Sequence, residues 1–197
     1  MDIQIEVNET VQDRFFWLGQ GLAHNNLAEV SSADLLIVPL KDFREGIPFA
    51  FHQDTASLAR FLAKKMAGQA KVEVLADDEE YLELALHGAS FRFCTIFVSV
   101  ALAPLLINLL SSYIYDELKA KPSDTIEMSV VIEDHQCRSM HIGFKGDAKD
   151  FNSVVDKVSE LSHECMTAKP AADSNTQSSA RKSPAEIELQ DTADDGA

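Results

Sequence analysis

The chain has 197 residues, 46% of them hydrophobic, with 32 acidic and 17 basic side chains and a formal net charge of −15. That length and apolar content suit one domain of ordinary size with an appendage, or two small ones, and exclude a body without a core. The acidic balance excludes general affinity for nucleic acid, which needs clustered Lys and Arg, and disfavours electrostatic docking on anionic lipid. Lys64-Lys65 is the one basic pair ahead of the tail, and ordinary charge patterning makes it a solvated helix face. Cys94, Cys137 and Cys165 form no CxxC pair and no even-numbered framework. The opening MDIQIEVNET has no basic segment followed by an apolar one, so no secretory signal is expected and the cytoplasm is the default location.

In chain order, Ile3, Ile5 and Val7 alternate with polar neighbours, which predicts a half-buried strand. Asn8-Glu9-Thr10 then offers a cap for a helix carrying Val11, Phe15, Leu18 and Leu22, ended early by Gly19 and Gly21. Trp17 with Phe15-Phe16 reads as a core anchor. ADLLIVPL, residues 33–40, is a short apolar block of the interior-strand kind. KDFREGIPFAFHQD is expected to be a loop punctuated by Gly46 and Pro48. Asp54 or Thr55 caps a helix through Met66 with Leu58, Phe61 and Leu62 inward, and Gly68 stops it. KVEVL is a strand, Asp77-Asp78-Glu79-Glu80 an acidic solvated turn, and YLELALHG a second strand or a short helix.

From Phe93 to Tyr115 the chain runs 23 residues without a charge. About 20 mostly apolar residues span a bilayer, so a membrane helix, single-pass or peripheral, is the alternative to a buried core helix. The soluble fold is preferred on packing grounds. A span would leave Thr125 to Cys165, two strands and a helix, to fold alone, and pieces of roughly 40 residues without metal or disulfide seldom do. As a helix the stretch is apolar nearly all round, and a face left uncovered by its own domain becomes a docking surface. Its interaction candidates are Leu102, Leu105, Leu106, Leu109 and Tyr113.

TIEMSVVIED and CRSMHIGFKG read as two strands about a turn at Asp134-His135-Gln136. Asp147 then caps a helix from Ala148 to Cys165 with Phe151, Val154, Val155, Val158 and Leu161 on one stripe. Beyond it, residues 167–197 are rich in Ala, Ser, Asp, Pro and Gln, the composition of a disordered tail. The expected fold class is α+β: a mixed sheet with covering helices, one of them central and strongly apolar. The chain divides into an α/β lobe over 1–68, an α+β lobe over 69–166, and an acidic tail over 167–197.

Signatures of catalysis are sparse. The sequence has no Gly-rich phosphate loop, no GxSxG elbow and no HExxH. A repeated HxC spacing, His135 with Cys137 and His163 with Cys165, offers the ligand types of a structural zinc set, though not the usual knuckle spacing. Cys137 with His141 is a conceivable nucleophile pair, and Cys94 a buried inert thiol. A metal-dependent hydrolase would draw on Asp77, Asp78, Glu133 and Asp134, which show no convincing spacing for it. No cofactor is indicated.

LINLLSSYIYDELK, followed by IEMSVVIED, a hairpin and DAKDFNSVVDKVSEL, resembles small accessory modules encoded beside effectors in bacterial conflict and antiphage loci, described as effector-associated components. The likeness covers Phe91 to Leu161 and rests on pattern. It implies an apolar helix with a charged turn, a β-hairpin and a closing helix, and a non-enzymatic coupling role with a nearby-encoded effector as partner. It assigns no functional residue. An adaptor or regulatory subunit is therefore the expected function, ahead of a membrane-associated component acting through residues 93–110 and of the hydrolase.

Overall fold

A computed structural model describes residues 4–9, 12–84, 90–133 and 139–167, the side chains of 4–9 and 164–167 apart. The acidic tail and the turn at 134–138 lie outside the described residues. In chain order the elements are β1 (Gln4–Glu9), α1 (Arg14–Leu18), α2 (Leu27–Ser31), β2 (Leu35–Val38), β3 (Leu40–Arg44), β4 (Ile47–His52) and α3 (Thr55–Lys65). There follow β5 (Val72–Val74), β6 (Glu83–Leu84), β7 (Ser90–Arg92), β8 (Thr95–Ser99), α4 (Ala103–Ser112), β9 (Thr125–Glu133), β10 (Met140–Asp147) and α5 (Asn152–Thr167).

Seven strands form one mixed sheet in the order β1-β10-β9-β8-β2-β5, with β7 also on β9. β9 is antiparallel to β10 and parallel to β7 and β8, while β2 is antiparallel to β8 and parallel to β5. Strands from both 1–68 and 69–166 thus share this sheet. The class is the α+β fold expected, a mixed sheet covered by helices.

Side-chain alternation sorts the sheet into two faces. Leu35, Ile37, Ile96, Val98, Val130 and Ile132 join Leu58 and Leu62 of α3, Leu106, Ile107 and Leu110 of α4, and Val154 and Val158 of α5 in the main core. Leu36, Val38, Phe97 and Val131 face the other way, onto Trp17, Leu22, Val30 and Leu75. β2 is wholly buried because both faces are covered. This explains why ADLLIVPL is continuously apolar rather than alternating.

The uncharged stretch is not one helix. Its first part is β8, hydrogen-bonded between β2 and β9. A turn follows, Leu102 N–H donating to Ser99 O at 3.0 Å, and only then α4, ten residues long with proline in its first turn. β-branched Thr95, Ile96 and Val98 favour the strand, and Pro104, lacking an N–H, is tolerated only where the helix begins. Among the described residues no helix is long and apolar enough to cross a membrane. The alternative of a single-pass span over 93–110 finds no such helix, and the one central apolar helix expected for this stretch is instead a strand followed by a shorter helix. After Ser112 the helix widens into a π-turn, Tyr113–Glu117, with Leu118 N–H reaching Tyr113 O at 2.9 Å.

Other departures have local causes. β1 extends to Glu9, so the first helix starts later and is capped by Asp13, whose carboxylate accepts the Phe16 N–H at 2.8 Å. The expected loop 41–54 contains a hairpin, β3 with β4, turning at Glu45-Gly46, where Gly46 takes φ +78°. Gly68 stops the α3 segment at φ +77°, as its lack of a Cβ allows. Asp147 does not cap a helix with its side chain but pairs with Lys149 at 3.4 Å, ahead of a 3₁₀ turn over Ala148–Asp150.

Candidate functional site

Three regions bear on function: the outer side of α4, the cleft beside α1, and the pocket where β7 and β8 break. On α4, burial is one-sided. Leu106 is fully buried and Tyr113 is 4% exposed, so both are core residues, whereas Leu105 is 36% exposed. Leu102 and Leu109 are half-buried against the same core. The outward stripe is therefore Leu102, Leu105 and Leu109, at i, i+3 and i+7 of one helix face.

The cleft lies at the carboxyl ends of the parallel strands β8 and β9, where Ser99 is in register with Glu133. It encloses about 660 Å³ and is lined by residues including Asp13, Arg14, Phe15, Asp34, Ala101 and Glu133. Arg14 is held firmly in its wall. Its Nε donates to Glu133 Oε2 at 2.9 Å and a terminal nitrogen donates to Ala33 O at 2.7 Å. Both partners are partly buried, so this pair is screened less than a surface ion pair. On the rim, Phe15 is 81% exposed while Trp17, two residues on, is 6% exposed. A helix of only five residues buries one side, and Phe15 is on the other. Phe15 thus departs from the expected core anchor.

The pocket is smaller, about 110 Å³, and lies against a break in one strand line. Ser90 to Arg92 pair with Thr125 to Glu127, and Ile96 to Ser99 with Val130 to Glu133. Three residues, 93–95, therefore oppose two, which is a β-bulge. The bulge buries Cys94, whose sulfur accepts the His52 backbone N–H at 3.3 Å and lies 3.6 Å from Thr55 Oγ1. Burial pushes the Cys94 thiol up, partly offset by the His52 N–H and the Thr55 hydroxyl. A buried thiol of raised pKa is a poor nucleophile, in keeping with an inert Cys94. Burial, and next the positive charge of Arg92, hold His52 below its ordinary value, against a smaller opposing effect of Glu127. Asp54, beside it, takes the left-handed conformation at φ +69°.

The remaining sequence candidates are dispersed. His135 and Cys137 lie outside the described residues, as does the side chain of Cys165; His163 is an exposed position of α5. Among the described residues no group of three or more His, Cys, Asp or Glu could hold a metal ion. Asp77 is not part of a solvated turn: it is 8% exposed and its carboxylate accepts the Asn25 N–H at 3.2 and 3.1 Å. Glu133 is engaged by Arg14, and Asp134 lies outside the described residues. His141 Nε2 meets Ser129 Oγ at 2.6 Å, and Ser129 also accepts from Thr95 at 3.1 Å, a polar row across β8, β9 and β10.

Neither the cleft nor the His52 pocket was singled out from sequence. Each assembles residues from three or more distant segments, and only topology brings these together. Comparison with models of protein families, curated proteins and solved structures finds no match for this chain.

Proposed function

We propose that this chain is an interaction subunit that binds a partner protein through the cleft beside α1. The observation that supports this most is Phe15, a large aromatic residue left 81% exposed on the rim of a cleft of about 660 Å³. Burying a Phe side chain is worth roughly 2 kcal/mol, which the isolated chain forgoes and a partner would recover. Aromatic side chains are enriched at the centres of protein interfaces, where they are buried by the partner. Asp13, Asp34 and Glu133 outnumber Arg14 there, and the whole chain is acidic, so the complementary surface is apolar and basic. In a multi-component bacterial system of the kind the resemblance implies, antiphage defence included, the partner is an effector encoded nearby. The stripe Leu102, Leu105 and Leu109 is a second, smaller contact on another element.

The test uses the tagged full chain as bait in its native cell, alongside Phe15→Ala and Leu105→Glu. A partner captured by the wild type should be lost with Phe15→Ala, with melting temperature unchanged, and retained at least in part with Leu105→Glu. Undiminished capture by Phe15→Ala, or a wild-type chain that is monomeric and captures nothing, overturns the proposal.

A further inference from the structure

The cleft beside α1 also fits a segment of this same chain, an inference that rests on reading the cleft as a protein-docking site. Its rim is one surface. Arg14, set between Asp13 and Phe15, donates to Ala33 O at 2.7 Å, which brings the neighbouring Asp34 alongside α1. Asp13, Phe15 and Asp34 line the cleft and are all exposed there. Each carboxylate accepts one backbone N–H, Asp13 from Phe16 and Asp34 from Lys71, and neither has a cation partner among the described residues. Lys71 directs its ammonium to Glu29 O and Ser32 Oγ instead. An occupant of this rim therefore needs cations for two carboxylates and apolar side chains for Phe15.

Beyond Thr167 the sequence holds one segment of that make-up. From Ala168 to Ala197 the only large aliphatic residues are Ile187 and Leu189, and the only adjacent basic pair is Arg181-Lys182. All four fall within the nine residues RKSPAEIEL. In an extended backbone Ile187 and Leu189 project to one side and Glu186 and Glu188 to the other, so the acids need not meet those of the cleft.

The topology starts this segment at the cleft end of the sheet. β8 ends at the cleft with Ser99, and Ala101 lines it, so α4 runs away from the cleft. β10 finishes at the opposite end, Asp147 in register with Thr125, and there α5 begins beside the far end of α4, where Tyr115 Oη donates to Ala148 O. α5 packs along α4 on the same sheet face, so it returns toward the cleft end, its 16 residues covering about 24 Å. Residues 168–180 then separate Thr167 from Arg181, a reach of up to about 45 Å. That is ample to pass the edge of a sheet, whose packed layers lie about 10 Å apart.

We propose that residues 181–189 occupy the cleft of their own chain, with Arg181 and Lys182 on Asp13 and Asp34, and Ile187 and Leu189 against Phe15. The segment covers Phe15 only in part, and the partner protein displaces it. Partner affinity is then reduced by the fraction of clefts the segment leaves open.

The experiment is NMR of the full chain, labelled with ¹⁵N and at the Ile and Leu methyls. The wild type is compared with Arg181→Glu/Lys182→Glu and Ile187→Ser/Leu189→Ser, changes placed beyond α5 and away from the core. Wild-type Ile187 or Leu189 methyls should contact the Phe15 ring. Both variants should lose that contact, with the amides of residues 13–15, 33–34 and 99–101 shifting together. Cleft amides that neither variant moves, or methyls without contact to Phe15, overturn the proposal. So do contacts seen only between differently labelled copies and lost on dilution, since the occupant is then a second copy. A cleft closed about two-thirds of the time should bind its partner about threefold more tightly in either variant. The two readings fail separately: a partner lost with Phe15→Ala, while the variants at 181–189 leave the cleft amides unmoved, overturns only this inference.

Discussion

Replacing Leu106 and Leu105 singly by alanine should give sharply different losses of stability, although the two are adjacent in one helix. Successive helical residues point about 100° apart. That rotation carries Leu106 into the core, fully buried against the sheet, and leaves Leu105 36% exposed. For Leu106→Ala, lost transfer free energy and the cavity left behind act together, and buried Leu→Ala changes cost about 2–5 kcal/mol. A value near 3–4 kcal/mol is expected here, because strand and helix neighbours on several sides restrain collapse. Leu105→Ala removes side-chain area that is only partly buried and opens no enclosed cavity, so about 1 kcal/mol is expected. Urea unfolding followed by fluorescence is the assay. Trp17, the single tryptophan, is buried in the second core cluster on the other sheet face, so it reports unfolding of the whole domain. With a slope of about 2 kcal/mol/M, Leu106→Ala should lower the midpoint by roughly 1.5–2 M and Leu105→Ala by about 0.5 M. Equal losses, or a harmless Leu106→Ala, would refute the orientation of α4.

Three more predictions follow from other parts of the molecule. Because His52 is depressed in the folded state, the unfolded chain takes up its proton first as pH falls. Stability should therefore be lost as pH drops below about 6.5, burial and Arg92 lowering the ring and Glu127 opposing them. The urea midpoint measured from pH 8 to 5 should show this fall, and His52→Gln should flatten it; an unchanged slope would show that other groups are responsible. Asp77→Ala removes the acceptor for the Asn25 N–H and should cost about 1.5–3 kcal/mol, read as a lowered urea midpoint, whereas Asp78→Ala at an exposed neighbouring position should be near neutral. Glu133→Gln should weaken the grip on Arg14 and lower stability by about 1 kcal/mol or more, and a double-mutant cycle with Arg14→Met should show coupling between the two.

Much of the fold was legible because its signals are local. β2 announces itself as an apolar block, α3 by its stripe and its glycine stop, and β9, β10 and α5 by alternation followed by helical spacing. The stretch from Phe93 was harder, since hydrophobicity alone does not separate a buried strand from a buried helix. Its β-branched opening and Pro104 marked the division between β8 and α4. The β3–β4 hairpin was masked by charges and by Pro48, which read as loop chemistry. Candidate sites were the least legible. Of the interaction residues named on α4, burial depends on how α3 and α5 pack, which one helix's own sequence does not state. Phe15 resembles a core residue until the brevity of α1 turns it outward. The His52 pocket joins residues 52–54, 91–93 and 118, which meet only in three dimensions.

The most direct test of this account is an NMR measurement of backbone contacts across residues 93–112. It predicts interstrand contacts linking Ile96 to Ile37 on one side and to Val130 on the other, with helical i to i+4 contacts beginning only near Ala103. Continuous helical contacts from Phe93 to Ser112, without cross-strand partners for β8, would contradict it.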